Sequence, residues 1–120
     1  MDRRWIAIGA ALAAAGVALG AFGAHGLKGR VDPSMVATWE TAAHYHQLHA
    51  LALIVIGALP SVRGKEWAAR LFFGGVLVFS GSLYVYVLTS MKAFAIITPL
   101  GGLAMIAGWV ALAVAFGRRE

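Results

Sequence analysis

Three of the chain's four histidines, His44, His46 and His49, fall inside the stretch Glu40 to Leu53, and the fourth is His25. Imidazole can ligate a metal, hold a haem iron, or gain and lose a proton near neutral pH. On a helix, His46 and His49 share a face while His44 points roughly the opposite way from His46. One helix can therefore offer two ligands to a common ion, and a third would have to come from His25. Glu40 lies one turn before His44 and is the natural partner for it. Further along, Phe79-Ser-Gly-Ser-Leu-Tyr84 supplies hydroxyls, with Ser80 and Tyr84 four apart on one face. A serine nucleophile with a histidine base would also need an oxyanion hole and an orienting acid, and the sequence supplies neither. There is no cysteine, which removes thiolate metal sites, disulfides and cysteine nucleophiles. The candidate polar core or ligand site is therefore His25, Tyr45, His46, His49, Ser80 and Tyr84.

The setting of these residues is apolar. Of 120 residues, 61% are hydrophobic and 12% charged, against roughly 45–50% and about 25% in soluble domains. A soluble fold this small could not hide so much apolar surface, so the solvent must be lipid. Four spans are expected, at about 5–25, 44–59, 68–89 and 98–116, in a single domain, the first run being long enough for the ~30 Å hydrocarbon layer. Asp32-Pro33 opens the second helix, whose polar first part, 33–43, is expected in the interface or as an extension of the span. The first run is longer than the ~7–15 apolar residues of a signal peptide, and is read as a retained span. The prolines Pro33, Pro60 and Pro99 are all expected at helix ends, with Thr98-Pro99 repeating the cap-then-proline pattern.

Small residues recur on two of the spans. Gly9, Ala13, Gly16, Gly20 and Gly23 form one strip, and Gly101, Ala104, Gly108, Ala111 and Ala115 another. Such strips let helix backbones approach closely in a bilayer. Gly16, Gly20, Gly23, Gly101 and Gly108 are accordingly expected at helix contacts. Gly20-Ala-Phe-Gly-Ala-His25 lacks the Lys-Ser/Thr of a phosphate loop.

The net charge is +5. The basic residues sit at the ends of apolar runs, without a basic helix face or aromatic interleaving, so they read as topology signals and not as a nucleic-acid surface. Arg3, Arg4, Arg63, Lys65, Arg70, Arg118 and Arg119 fall on one side, and Lys28, Arg30 and Lys92 on the other. The positive-inside rule then places both termini and the central loop in the cytoplasm. Trp5, Trp67 and Trp109 are expected near the cytoplasmic interface, Trp109 alternatively between helices.

Four local patterns then coincide in order: Gly20-Ala-Phe-Gly-Ala-His25, Tyr45-His46-x-x-His49-Ala-Leu-Ala, Phe79-Ser-Gly-Ser-Leu-Tyr84, and Thr98-Pro-Leu-Gly-Gly102 with Gly108-Trp109. Across essentially the whole chain they resemble domain-of-unknown-function family 423, the YgdD/YwdK-like and transmembrane protein 256-like small integral membrane proteins. The resemblance implies a four-helix protein of the inner or plasma membrane, and supplies no reaction, ligand or catalytic residue to carry over.

The function expected from the sequence is that of a non-enzymatic multi-pass membrane protein without a cofactor, metal or nucleic-acid partner. Its His/Tyr/Ser core is mainly structural or binds a small ligand or lipid. The alternative is a small transporter or channel subunit acting as a homo-oligomer, and a third is a metal- or haem-dependent membrane enzyme. No charged residue lines the middle of the spans, which counts against an ion channel.

Overall fold

The computed structural model describes residues 1–118; the sequence reading of Arg119 and Glu120 lies outside the described residues. Four long helices follow one another: α1 (Arg3–Phe22), α2 (Pro33–Ala58), α3 (Lys65–Thr89) and α4 (Lys92–Gly117), with a wider π-helical turn, Gly23–Leu27, continuing α1. No strand occurs among the described residues. The fold is the all-α four-helix transmembrane bundle expected. By length and composition α1 with its π turn, α3 and α4 can each cross a bilayer. The fourth, α2, is about 39 Å long at 1.5 Å per residue, long enough to cross beside them despite its polar first half.

Local chemistry sets the helix ends. Asp2 caps α1, its carboxylate accepting from the Arg4 N–H at 3.1 Å. Asp32 precedes Pro33 as expected, but its side chain makes no cap bond; it accepts from the Ser34 hydroxyl instead. The turn after α1 closes at Gly29, whose φ of +83° is open to glycine at little cost. At the opposite end Lys65, buried, sends its ammonium to the Leu59 carbonyl at 2.6 Å and so satisfies the end of α2.

The second helix shows no break between its polar and apolar parts: Thr38 and Thr41 bond back to the Ser34 and Ala37 carbonyls, so their hydroxyls need no outside partner. One expectation changes. The fourth helix begins at Lys92, not at Thr98, so Pro99 lies inside it. Thr98 is no N-cap; its hydroxyl bonds the Phe94 carbonyl one turn back, as in a helix interior. Neighbouring helices and hydroxyls make such prolines tolerable in membrane helices.

The helices pack in chain order, α1 on α2, α2 on α3 and α3 on α4. The extents of 54 × 26 × 17 Å mark a flattened bundle rather than a square one. Lipid gives apolar helices no hydrophobic reason to associate, so close van der Waals contact must hold them. The small-residue strips provide it. Cβ atoms at Gly9 and Gly16 would lie 2.8 Å from α2, against the Ala50 carbonyl and the Gln47 side chain. Gly20 and Gly23 face Gln47 and Trp39 of the same helix. On α4, Gly101 lies against the α3 backbone at Gly75 and Phe79, and Gly108 against the Phe72 ring. Trp5, Leu53, Ile56, Ala68, Ala69 and Phe72 form the apolar core near the end that holds the α2–α3 loop. There Glu66 receives the Trp5 indole N–H at 2.9 Å and pairs with Arg4 and Arg70, tying α1 to α3. Trp5 is thus a core residue rather than a free interfacial anchor, whereas Trp67 is exposed.

Candidate functional site

The continuous α2 helix carries two buried seams. Trp39, Ala43, His46 and Ala50 turn toward α1, while Ala42 and His49 turn toward α3 and α4. His46 and His49 therefore share a broad face but diverge into different helix contacts.

His46, 5% exposed, bridges three helices. Its Nε2 lies 2.8 Å from the Leu12 carbonyl of α1, which can only accept, so Nε2 carries the proton. Nδ1 is then free to accept from the Tyr84 hydroxyl of α3 at 2.9 Å. Trp39 packs on the Tyr84 ring at 4.6 Å and donates its indole N–H to the Leu19 carbonyl at 2.7 Å. Gln47 donates to the Gly16 carbonyl at 2.8 Å. Three side chains of α2 thus donate to three successive carbonyls along α1, at Leu12, Gly16 and Leu19.

His49, 2% exposed, takes the opposite tautomer. Its Nδ1 lies 2.8 Å from the Tyr45 carbonyl and must donate; its Nε2 receives the Trp109 indole N–H at 2.9 Å. Both imidazoles are neutral in this arrangement, with both ring nitrogens in use.

The hydroxyls close the remaining contacts. Ser80 donates to the Ala42 carbonyl at 2.7 Å, joining α3 to α2. Ser82 and Thr98 lie 2.6 Å apart, joining α3 to α4, and each also reaches a carbonyl of its own helix. Among the described residues no buried side-chain nitrogen or oxygen lacks a partner.

Of the six candidates, His46 and Tyr84 are bonded to each other, and Ser80 and His49 are buried nearby in separate bonds. His25 is exposed in the π-helical turn and joins none of them. A His25–His46–His49 cluster is therefore not formed, and no group of three His, Cys, Asp or Glu side chains suited to a metal occurs among the described residues. Tyr45 is half-exposed; its ring packs on Phe79, and only its backbone carbonyl reaches His49. Glu40 and His44 are both exposed and form no ion pair, contrary to the pairing expected from their spacing.

Sequence reasoning missed Trp39, Gln47 and Thr98 as polar partners. Trp39 is seven residues before His46, two turns along the same face, and that spacing was a usable signal. Thr98 was hidden by the proline after it.

The protein family described as "Protein of unknown function (DUF423)" matches residues 19–102, more than half of the chain. This chain belongs to that family. A UPF0382 membrane protein of Staphylococcus aureus is 43% identical over 113 residues, 92% of this chain and 93% of the relative. One from Staphylococcus haemolyticus is 43% identical over 112 residues, 92% of each chain. The UPF0382 membrane protein YwdK of Bacillus subtilis is 41% identical over 115 residues, 92% of this chain and 94% of the relative. No solved structure matches. Membership in family 423, the apolar helices and these relatives make the protein a membrane protein of an uncharacterised family.

Proposed function

We propose that the protein is a non-enzymatic, multi-pass protein of the inner or plasma membrane whose His/Tyr/Ser/Trp side chains fasten its helices together. One observation carries this reading: among the described residues every buried side-chain nitrogen and oxygen has a partner within the protein. The bonds of Gln47, Trp39 and Ser80 to neighbouring helices, and that of His46 to α1, end on backbone carbonyls. A carbonyl passes no proton onward, so each of these chains stops where a relay would need to continue. Saturated imidazoles also have no lone pair left for a metal or haem iron. Both termini and the α2–α3 loop lie in the cytoplasm in this reading, on the strength of the basic residues gathered at that end.

The test combines three measurements on protein in mild detergent: metal content, the visible absorption spectrum, and the melting of His46→Ala and His49→Ala. A metal-free, colourless protein with both variants melting below the parent is expected. A variant that melts like the parent but has lost a bound metal or a haem band would overturn the reading. Topology is checked separately, because the chain has no cysteine. In intact cells a membrane-impermeant thiol reagent should label Lys28→Cys and leave Arg63→Cys unlabelled; the reverse pattern inverts the orientation.

A further inference from the structure

The fastening of the helices leaves one group of charges only partly spent. Arg4 of α1 and Arg70 of α3 meet on one oxygen, the Glu66 Oε2, at 3.3 and 3.0 Å. Each guanidinium also lies over an indole. Arg4 is 5.5 Å from the centre of the Trp5 ring, and Arg70 is 5.6 Å from that of Trp67. An aromatic face attracts a guanidinium and holds its plane. A guanidinium carries five N–H donors. Arg70 spends only its Nε on Glu66, and Arg4 only Nη2. The other nitrogens of both groups have no acceptor among the described residues.

We propose that Arg4 and Arg70 together seat the phosphate of a phospholipid whose head carries a net negative charge. Three observations select that partner. The first is depth. Past Arg4 the next charged side chain is Lys28, and past Arg70 it is Lys92. The two arginines are therefore the last charges before the apolar runs of their helices, at the level where headgroup phosphates lie. The second is access. The side chains of Arg4 and Arg70 are 63% and 58% exposed, and Trp67 beside them is exposed too. Their spare donors thus open to the outside of the bundle, where the planar fork of a guanidinium matches a phosphate. An indole at this depth suits the membrane interface. The third is charge. Arg3, Arg4, Lys65 and Arg70 stand at this end of α1 and α3 against two carboxylates, Asp2 and Glu66. Asp2 lies 3.9 Å from Arg4. The Lys65 ammonium goes to the Leu59 carbonyl, and Arg3 makes no ion pair among the described residues. Positive charge is in excess, so an anionic head is attracted, whereas a zwitterionic head would bring a cation of its own into that excess.

The test uses native mass spectrometry of the full chain in mild detergent, titrated with dioleoyl phosphatidylglycerol and, in parallel, with dioleoyl phosphatidylcholine. The two lipids share their acyl chains and phosphate and differ in net charge. The parent should retain the phosphoglycerol lipid saturably and more tightly than the choline lipid. Arg4→Gln and Arg70→Gln should each lower that preference about fivefold, the effect of about one basic residue at an anionic surface. Arg118→Gln removes the same charge from the exposed end of α4, where it makes no ion pair with Glu66, and should leave the preference nearly unchanged. Melting curves without added lipid confirm that each variant is folded, and variants on two different helices keep the test open if one of them is not. Equal retention of the two lipids by the parent, a preference that survives both arginine variants, or one that Arg118→Gln lowers just as much would each overturn the proposal. The proposal rests on the chain lying in a bilayer and not on which way it crosses, so a reversed thiol-labelling pattern would leave it standing.

Discussion

Trp109 and His49 meet across sixty residues of sequence: the indole N–H points at Nε2 from 2.9 Å, while Nδ1 of the same ring is held by the Tyr45 carbonyl. The two bonds together fix one tautomer of a buried imidazole. They also hold α4 against α2, where the small-residue strips do not reach.

The first prediction concerns that pair. Trp109→Phe keeps a ring against Phe72, now 4.5 Å away, but removes the donor. Interhelical hydrogen bonds in membranes are worth about 0.6 kcal/mol on average and up to ~1.7. The variant should therefore melt slightly lower in detergent. His49→Ala should lose more, because it leaves the Trp109 N–H and a cavity behind. Their double mutant should be no worse than the sum, as a thermal-melt cycle would reveal.

His46 separates loss of a donor from loss of a side chain. His46→Ala removes the bonds to Leu12 and Tyr84 and opens space between three helices, and should destabilise by about 2 kcal/mol or more. His46→Gln retains an amide able to donate to the Leu12 carbonyl, and should recover part of that stability. Chemical or thermal unfolding in one detergent compares them directly.

Two glycines give opposite expectations. A Cβ at Gly101 would lie 2.8 Å from the Gly75 carbonyl oxygen, whereas one at Gly74 would meet nothing within 4 Å. Gly101→Ala should push α3 and α4 apart and cost about 1–3 kcal/mol. Gly74→Ala should be neutral or stabilising by up to ~1 kcal/mol, since alanine is the better helix former. Melting temperatures that moved together would contradict the close α3–α4 contact.

Chelation gives a further check. Exhaustive treatment with EDTA should leave the melting temperature unchanged, as should saturating zinc. A chelator-dependent fall of several degrees would require a site beyond the bonds described above.

Much of this architecture was legible because its signals are repeated. The glycine strips on α1 and α4 could be read from spacing alone, and Gly9, Gly16, Gly101 and Gly108 do face neighbouring backbones or rings. His46, His49, Ser80 and the half-buried Tyr84 were legible as polar residues turned inward, since polar groups in lipid have to find partners. Which partner each finds was not legible. His25 turns outward because α1 widens into a π turn just before its end, and no residue type announces that. Pro99 misled because the rule placing prolines at helix ends comes from chains in water, where the freed carbonyl can hydrate. The Trp109–His49 bond was invisible for a different reason: it depends on how far α4 stands from α2, a tertiary distance without a period in the sequence.

The side-chain bonds between the first two helices run in one direction. Each α1 carbonyl that receives Trp39, His46 or Gln47 belongs to a helix that already satisfies its own backbone, whereas those three donors need an acceptor beyond their own helix. During synthesis the leading hairpin is therefore asymmetric: α1 can settle in the bilayer unaided, and α2 arrives needing a seat already prepared. Expressed without residues 1–24, the remaining chain should insert poorly or be degraded, and a separately supplied α1 segment should rescue it.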